Sequence, residues 1–126
     1  MRVQIATGKA RDVHLPALRP LYQDYFTCNR VAARVIPATM VPPPLIVEEV
    51  TGSIQGRNLP SDTAIARNIA PGSTAGIPGL ALPAGMTSAG LPIGIEFDAP
   101  AASARSPLAL GLSIHGVPGP IQPPRI

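Results

Sequence analysis

Residues 79–97 read GLALPAGMTSAGLPIGIEF, and they carry the clearest secondary-structure pattern of the chain. Two short apolar runs are separated by a loop that contains glycine. In the second run, large apolar side chains recur at every second position from Ile93 to Phe97, while Gly94 and Glu96 alternate with them. A period of two puts alternate side chains on opposite faces of a strand. Two such runs joined by a glycine-containing loop predict a β-hairpin at about 79–97.

Helices are predicted on both sides of this hairpin. Apolar residues recur at helical spacing between residues 18 and 26, which predicts a helix at about 17–30 with one buried stripe. We expect Cys28 to extend that stripe and to be buried. Further helices are predicted at 61–69, ended by Pro71-Gly72, and from Ser103 or Ser106 onwards, where Pro107 can be accommodated only in the first turn. The stripe consists of Leu18, Leu21, Tyr22, Tyr25 and Phe26.

The segments between these helices are predicted to be short strands and loops. Residues 33–36 are apolar apart from Arg34 and precede Pro37, which predicts a short strand. Residues 46–60 contain several turn-forming residues, and we expect a surface loop with one short strand there. The fold class predicted from these elements is α/β.

The composition limits the chain to one domain with a thin core. It has 126 residues, of which 45% are hydrophobic and 13% charged, with 17 Pro, 12 Gly and only 4 aromatic residues. This balance is the opposite of that of a disordered tail. Small aliphatic residues and proline must fill the core almost alone, which predicts weak independent folding.

Charge and cysteine content disfavour several classes of function. The net charge of +3 is spread along the chain without a basic cluster, which disfavours nucleic-acid binding. Cys28 is the only cysteine, and with His14 and His115 it offers no metal-ligand spacing, so we expect no metal or cofactor. No apolar run approaches the ~20 residues of a membrane helix. We therefore expect a soluble protein in the cytoplasm, where a lone thiol is common.

Two longer stretches of the sequence carry a family resemblance. Residues 65–85, IARNIAPGSTAGIPGLALPAG, and residues 90–97, GLPIGIEF, resemble the C-terminal portion of amidase signature hydrolases, in particular their indoleacetamide and mandelamide hydrolase branch. Residues 22–26 and 35–42 are also similar to a helix and strand of that family. The resemblance covers residues 15–126, a partial amidase domain, and leaves residues 1–14 unmatched.

The resemblance implies an α/β/α sandwich around a large mixed sheet and hydrolysis of a carboxamide to a carboxylate and ammonia. Family members use a Ser nucleophile, a second Ser in a cis peptide and a Lys, all in a Gly- and Ser-rich region upstream. The only Lys here is Lys9, and no matching run occurs in the 126 residues. We therefore carry over no catalytic residue and expect the chain to be a C-terminal fragment that is inactive alone.

Four side chains are candidates for chemistry, each with a plain structural alternative. Ser73 and Thr74 are predicted to bind substrate, because the matching loop in the family approaches the active site, although a Ser at a helix start is more often a cap. Glu96 and Asp98 would point the same way from one strand and could pair as acid and base. We favour solvation of both carboxylates at the end of the strand over this acid–base role.

Two classes of function follow. In the first, the chain is part of an amidase that acts on a small amide only as a full-length enzyme, with a missing N-terminal half or a second copy as its partner. In the second, it is a non-catalytic interaction module that binds through its hairpin edge or its proline-rich tracts, residues 42–44 and 118–124.

Overall fold

The computed structural model describes residues 10–43, 51–114 and 116. They form a mixed α/β structure, as the sequence predicts. In chain order the elements are a π-helical turn at Ala10–His14, helix α1 at Leu15–Asn29, strand β1 at Arg34–Pro37, strand β2 at Thr51–Ile54, strand β3 at Arg57–Pro60, helix α2 at Ser61–Ala66, helix α3 at Ile69–Ala75, strand β4 at Gly79–Met86, strand β5 at Pro92–Asp98 and helix α4 at Arg105–Ile114.

Strands β1, β5 and β4 form a three-stranded sheet in that order, with both pairs antiparallel. Arg34 lies opposite Asp98 on one side of β5, and Gly79 lies opposite Asp98 on the other. The pairing of β4 with β5 shifts register between Pro83 and Gly85. Because β5 is central, its side chains meet groups from both neighbouring strands.

Strands β2 and β3 form a separate antiparallel pair. The prediction of a surface loop with one short strand is therefore wrong for residues 51–60, which form two strands around a turn at Gln55 and Gly56. Both turn residues have positive φ, 51° and 76°, a combination typical of two-residue hairpin turns. The remainder of that predicted loop lies outside the described residues.

Helix α1 begins at Leu15, two residues earlier than predicted, and Pro20 lies inside it. The helix ends at Asn29 and is capped by Arg30, which adopts a left-handed conformation with φ of 52° and donates its backbone N–H to the Phe26 and Thr27 carbonyl oxygens. Such a residue satisfies carbonyl groups that the last helical turn leaves free.

Only part of the predicted stripe on α1 is buried. Tyr22 and Phe26 are buried and pack with Ala75 and Ile77, and Leu18 is half-buried against them. The expected burial of Cys28 is wrong, because its side chain is exposed. At 100° per residue, Cys28 lies about 140° around the helix from the direction midway between Tyr22 and Phe26.

The predicted helix at 61–69 is two helices, α2 and α3. The prediction that Pro71 and Gly72 end a helix is also wrong, since Pro71 is the third residue of α3. A proline is tolerated in the first turn because its missing N–H would have no helical partner there. Helix α3 ends instead at Ala75 and is capped by Gly76, whose φ is 69°.

Helices contact both faces of the sheet. A Cβ atom at Gly72 of α3 would lie 3.3 Å from the Asp98 carboxylate on one face. On the other face, Gly111 of α4 touches Leu80 so closely that a Cβ atom would overlap its side chain. Pro107 lies in the first turn of α4, as expected. None of the helices in the described part of the chain is long and apolar enough to cross a membrane.

Candidate functional site

An ion pair between Arg34 and Asp98 joins β1 to β5. The Arg34 Nε and Nη2 atoms donate to Asp98 Oδ2 at 3.2 and 2.5 Å. Arg34 Nη2 also donates to the Tyr22 hydroxyl at 3.3 Å, and the guanidinium carbon lies 5.2 Å from the centroid of the Tyr22 ring. One arginine thus connects helix α1, strand β1 and strand β5.

Glycines enclose the Asp98 carboxylate from two directions. A Cβ atom at Gly72 would lie 3.3 and 3.4 Å from its two oxygens, and one at Gly79 would lie 3.3 Å from Oδ1. Glycine allows the backbone to approach a side chain this closely. Asp98 is 1% exposed, so its carboxylate is closed to a ligand and serves to hold the strands and helices together.

Glu96 lies beside Asp98 on the same face of β5. Its Oε1 would lie 2.7 Å from a Cβ atom at Gly79, and its Oε2 is buried without a hydrogen-bond partner. Burial, followed by the charge of Asp98 and a hydrogen bond with it, raises the pKa of Glu96 above its usual value, although the charge of Arg34 opposes this. The expectation of solvation is therefore wrong for Asp98, whereas Glu96 is half-buried with one oxygen atom enclosed.

The pKa of Arg34 is also raised, in the direction that keeps its charge. Burial lowers it, but the hydrogen bond and charge of Asp98, together with Tyr22, outweigh that effect. Arg34 and Asp98 therefore form a charged pair, and a protonated Glu96 is suited to donate a hydrogen bond to Asp98.

We expect Glu96→Gln to remove part of the pH dependence of stability. Folding raises the pKa of Glu96. The contribution of this residue to stability is therefore complete below its pKa in the unfolded chain, and it is lost as the pH rises through its pKa in the folded chain. The free energy of unfolding of the variant should therefore increase relative to wild type as the pH rises above the usual pKa of a glutamate, about 4.3. Urea unfolding across this range measures the difference, and parallel curves for the two proteins would contradict the assignment.

An apolar cleft of about 470 Å³ lies along the other end of β5. Gly94 is part of it, and a Cβ atom at Gly94 would lie 3.3 Å from the Ala38 Cβ. The Ala38 N–H donates to the Gly94 carbonyl at 3.0 Å and fixes the segment after β1 beside β5. The residues that line the cleft are uncharged: Ala38, Thr39, Val41, Pro43, Ile65, Ala81, Leu82, Pro83, Pro92, Ile93 and Gly94.

Thr39 supplies the one hydroxyl side chain of this cleft. It donates to the Val41 carbonyl at 3.1 Å, which leaves its lone pairs able to accept a hydrogen bond. Ligand pockets of about 300–1,000 Å³ are typically apolar with few polar groups. The cleft suits an uncharged, largely apolar group.

Ser73 and Thr74 are exposed on α3 and do not line this cleft. The capping alternative is wrong for Ser73, because α3 begins at Ile69 and its N-cap residue is Asn68, with no side-chain cap bond. Sequence reasoning missed Arg34 and Tyr22, although a lone arginine in an apolar strand was a usable signal for a buried ion pair.

Metal binding finds no support in the described parts of the chain, where no three His, Cys, Asp or Glu side chains form a group that could hold an ion. His14 precedes α1 at its N-cap position, and Cys28 is exposed on the same helix. His115 lies outside the described residues.

Comparison with known proteins identifies relatives of one kind. An indoleacetamide hydrolase of Agrobacterium vitis is 33% identical over 106 residues, which are 84% of this chain and 23% of that protein. One of Rhizobium radiobacter is 34% identical over 102 residues, 81% of this chain and 22% of that protein. One of Allorhizobium ampelinum is 26% identical over 107 residues, which are 85% of this chain and 23% of that protein.

No protein-family model and no solved structure matches the chain. The similarity to the hydrolases nevertheless extends over more than four-fifths of it. The chain is a relative of the indoleacetamide hydrolases that spans less than a quarter of the length of the curated relatives it matches.

Proposed function

We propose that the chain is the C-terminal part of an amidase signature hydrolase, in which it belongs to an α/β/α sandwich with a mixed sheet. The complete enzyme would convert a carboxamide and water to a carboxylate and ammonia. The observation that carries this proposal is the 33% identity to an indoleacetamide hydrolase over 84% of the chain. The catalytic Ser-Ser-Lys set would come from outside these 126 residues, so the chain alone is inactive.

Within that enzyme we assign the apolar cleft beside Gly94 to the acyl side of the substrate. Its lining is uncharged and its volume of about 470 Å³ suits a group of aromatic size. A hydrolase of arylacetamides needs an apolar wall for the ring and a separate polar centre for the amide. This division agrees with a chain that has a cleft but no catalytic set.

Three further points belong to the proposal. Ser73 and Thr74 are assigned to the amide end of the substrate, because both hydroxyls are exposed on α3 and free to face another part of the enzyme. Hydrolysis by this route requires no cofactor. The setting is cytoplasmic, which the single free Cys28 favours.

A chimaera tests the proposal. In the Agrobacterium vitis indoleacetamide hydrolase, the stretch of 106 matched residues is replaced by this chain, and a second protein lacks the stretch altogether. We expect the deletion to abolish ammonia release from indoleacetamide. We expect the chimaera to restore it, with a kcat/KM within about a hundredfold of that of the parent. A hundredfold decrease corresponds to a loss of roughly 3 kcal/mol in transition-state stabilisation. Ammonia is measured by a coupled assay.

Two variants of the chimaera test the assigned residues. Ala81 lines the cleft and is exposed, so Ala81→Phe should occupy it and reduce kcat/KM for indoleacetamide by roughly tenfold, with little effect on acetamide. Ser73→Ala combined with Thr74→Ala should reduce kcat/KM for indoleacetamide and for acetamide alike. A chimaera as inactive as the deletion, or ammonia release by the isolated chain, would contradict the proposed function.

The alternative function is a non-catalytic interaction module. Strand β4 has one neighbour within the described part of the sheet, which leaves an edge for a partner strand. A monodisperse chain with a cooperative melting transition, combined with an inactive chimaera, would favour this alternative.

A further inference from the structure

Thr39 has a fixed position on the wall of the apolar cleft beside Gly94. The preceding residue, Ala38, donates its N–H to the Gly94 carbonyl of β5 at 3.0 Å. The Thr39 hydroxyl itself donates to the Val41 carbonyl at 3.1 Å. Because Thr39 lines the cleft and is exposed, a molecule that enters the cleft meets this hydroxyl.

The hydrogen bond to Val41 determines what the Thr39 hydroxyl can offer to a ligand. A hydroxyl group has one O–H donor and two acceptor lone pairs. The donor is used by the Val41 carbonyl, so only the lone pairs are left. The matching group on the ligand must therefore be a hydrogen-bond donor.

The rest of the cleft restricts the kind of donor. Among the described residues that line it, none besides Thr39 has a polar side chain. A charged donor such as an ammonium group would lose hydration there without gaining a counter-charge. A ligand hydroxyl would bring lone pairs that no side chain of the cleft satisfies. A ring N–H of the indole kind donates one hydrogen bond and accepts none, so it leaves no polar group unpaired.

We propose that Thr39 is a specificity-determining residue that accepts a hydrogen bond from a ring N–H in the acyl part of the substrate. The inference rests on the proposed function, which assigns the cleft to that part. It narrows the substrate class from apolar amides in general to aromatic acetamides with a neutral N–H on the ring. The cleft volume of about 470 Å³ accommodates a fused two-ring system.

A comparison of two substrates in the chimaera tests this proposal. The substrates are indoleacetamide and its benzothiophene analogue, in which a sulfur atom replaces the ring N–H and donates no hydrogen bond. The measured quantity is the ratio of kcat/KM for the indole substrate to kcat/KM for the benzothiophene substrate. We expect Thr39→Val to lower this ratio by about fivefold, the effect of one neutral hydrogen bond. Thr39→Ser keeps the hydroxyl and should preserve the ratio.

Thr27→Val is the matched control. Thr27 is exposed on helix α1, and its hydroxyl donates to the Gln23 carbonyl at 2.8 Å, so both valine variants lose a threonine hydroxyl that donates to the backbone. Thr27 does not line the cleft, and its variant should keep the wild-type ratio. If Thr39 only supports the backbone at Val41, Thr39→Val will lower kcat/KM for both substrates equally. An unchanged ratio would therefore overturn the proposal.

Ligand fluorescence provides a measurement that does not depend on catalysis. The 126-residue chain contains no Trp, so excitation at a wavelength that tyrosine does not absorb reports the indole of the ligand alone. We expect indoleacetamide to bind the wild-type chain and Thr39→Val to raise its Kd by about fivefold. Thr27→Val should bind as wild type does. Circular dichroism checks that the variants have the same secondary structure as wild type.

The two measurements separate failure of this inference from failure of the proposed function. An inactive chimaera, combined with weaker indoleacetamide binding in Thr39→Val, would contradict the proposed function and still support Thr39 as the acceptor. An active chimaera with the same ratio in wild type and Thr39→Val would overturn the assignment of Thr39 alone. An inactive chimaera without binding that depends on Thr39 would overturn both.

Discussion

Replacing Asp98 with alanine is expected to lower the free energy of unfolding of the chain by about 3 kcal/mol. Removal of one partner from a buried ion pair leaves an uncompensated charge, here that of Arg34, at a cost of roughly 3–5 kcal/mol. Arg34 keeps 26% of its side-chain surface in water, so solvent can partly replace Asp98 and the lower end of the range applies. Urea unfolding followed by circular dichroism measures the change.

Asp24→Ala is the control for this substitution, because Asp24 is exposed on α1. We expect it to change the free energy of unfolding by less than about 0.5 kcal/mol. A second arm combines Asp98→Leu with Arg34→Met, which removes both charges and should recover much of the loss. A loss in Asp98→Ala no larger than that in Asp24→Ala would refute the structural role of the pair.

The ion pair also contributes to the geometry of the cleft. It fixes β1 against β5 at Arg34 and Asp98, and four residues later the Ala38 N–H bonds to the Gly94 carbonyl at 3.0 Å. These two points hold the segment that carries Thr39 and Val41 beside β5, where it forms one wall of the cleft. Loss of Asp98 should therefore disturb the cleft as well as the stability of the fold.

Local sequence patterns were sufficient for the mixed α/β class but not for the pairing of distant strands. The period of two in residues 93–97 indicates a strand, and the run before Pro37 indicates another. Nothing local indicates that Arg34 lies opposite Asp98, 64 positions away. That register depends on contacts between distant parts of the folded chain. A local sequence pattern therefore could not predict the ion pair.

The expectation that Glu96 and Asp98 are solvated fails at Asp98 for a similar reason. Their spacing correctly puts both on one face of a strand. Whether that face is exposed to solvent depends on Gly72, which belongs to a helix about 25 positions earlier in the chain. It also depends on Gly79 of the partner strand. Both approach so closely because they lack a side chain, and the sequence pattern of β5 contains no trace of them.

Proline effects were predicted well only where the start of the helix was correctly placed. Pro107 lies in the first turn of α4, as expected from its missing N–H. Pro71 was expected to end a helix but lies in the first turn of α3. The chemistry of the residue is the same in both cases, and the difference arises from the break between α2 and α3 at Arg67 and Asn68.

Phe26→Ala is expected to lower the free energy of unfolding by about 4 kcal/mol, whereas Tyr25→Ala should cost about 1 kcal/mol. The two rings are neighbours in an edge-to-face pair with centroids 5.4 Å apart, but Phe26 is 4% exposed and Tyr25 is 42% exposed. Phe26 therefore loses packing against Ala75 and Ile77, while Tyr25 loses little beyond the ring contact.

Phe26→Leu extends the measurement if the alanine variant is too unstable to study, and it should cost about 1–2 kcal/mol because a large apolar side chain remains. Chemical unfolding of all three variants under one condition compares them directly. Equal effects of Phe26→Ala and Tyr25→Ala would mean that both faces of α1 are buried in solution, so that self-association covers the exposed stripe. The contrast between the two adjacent aromatic residues thus tests whether packing against α3 alone determines which residues of the predicted stripe on α1 are buried.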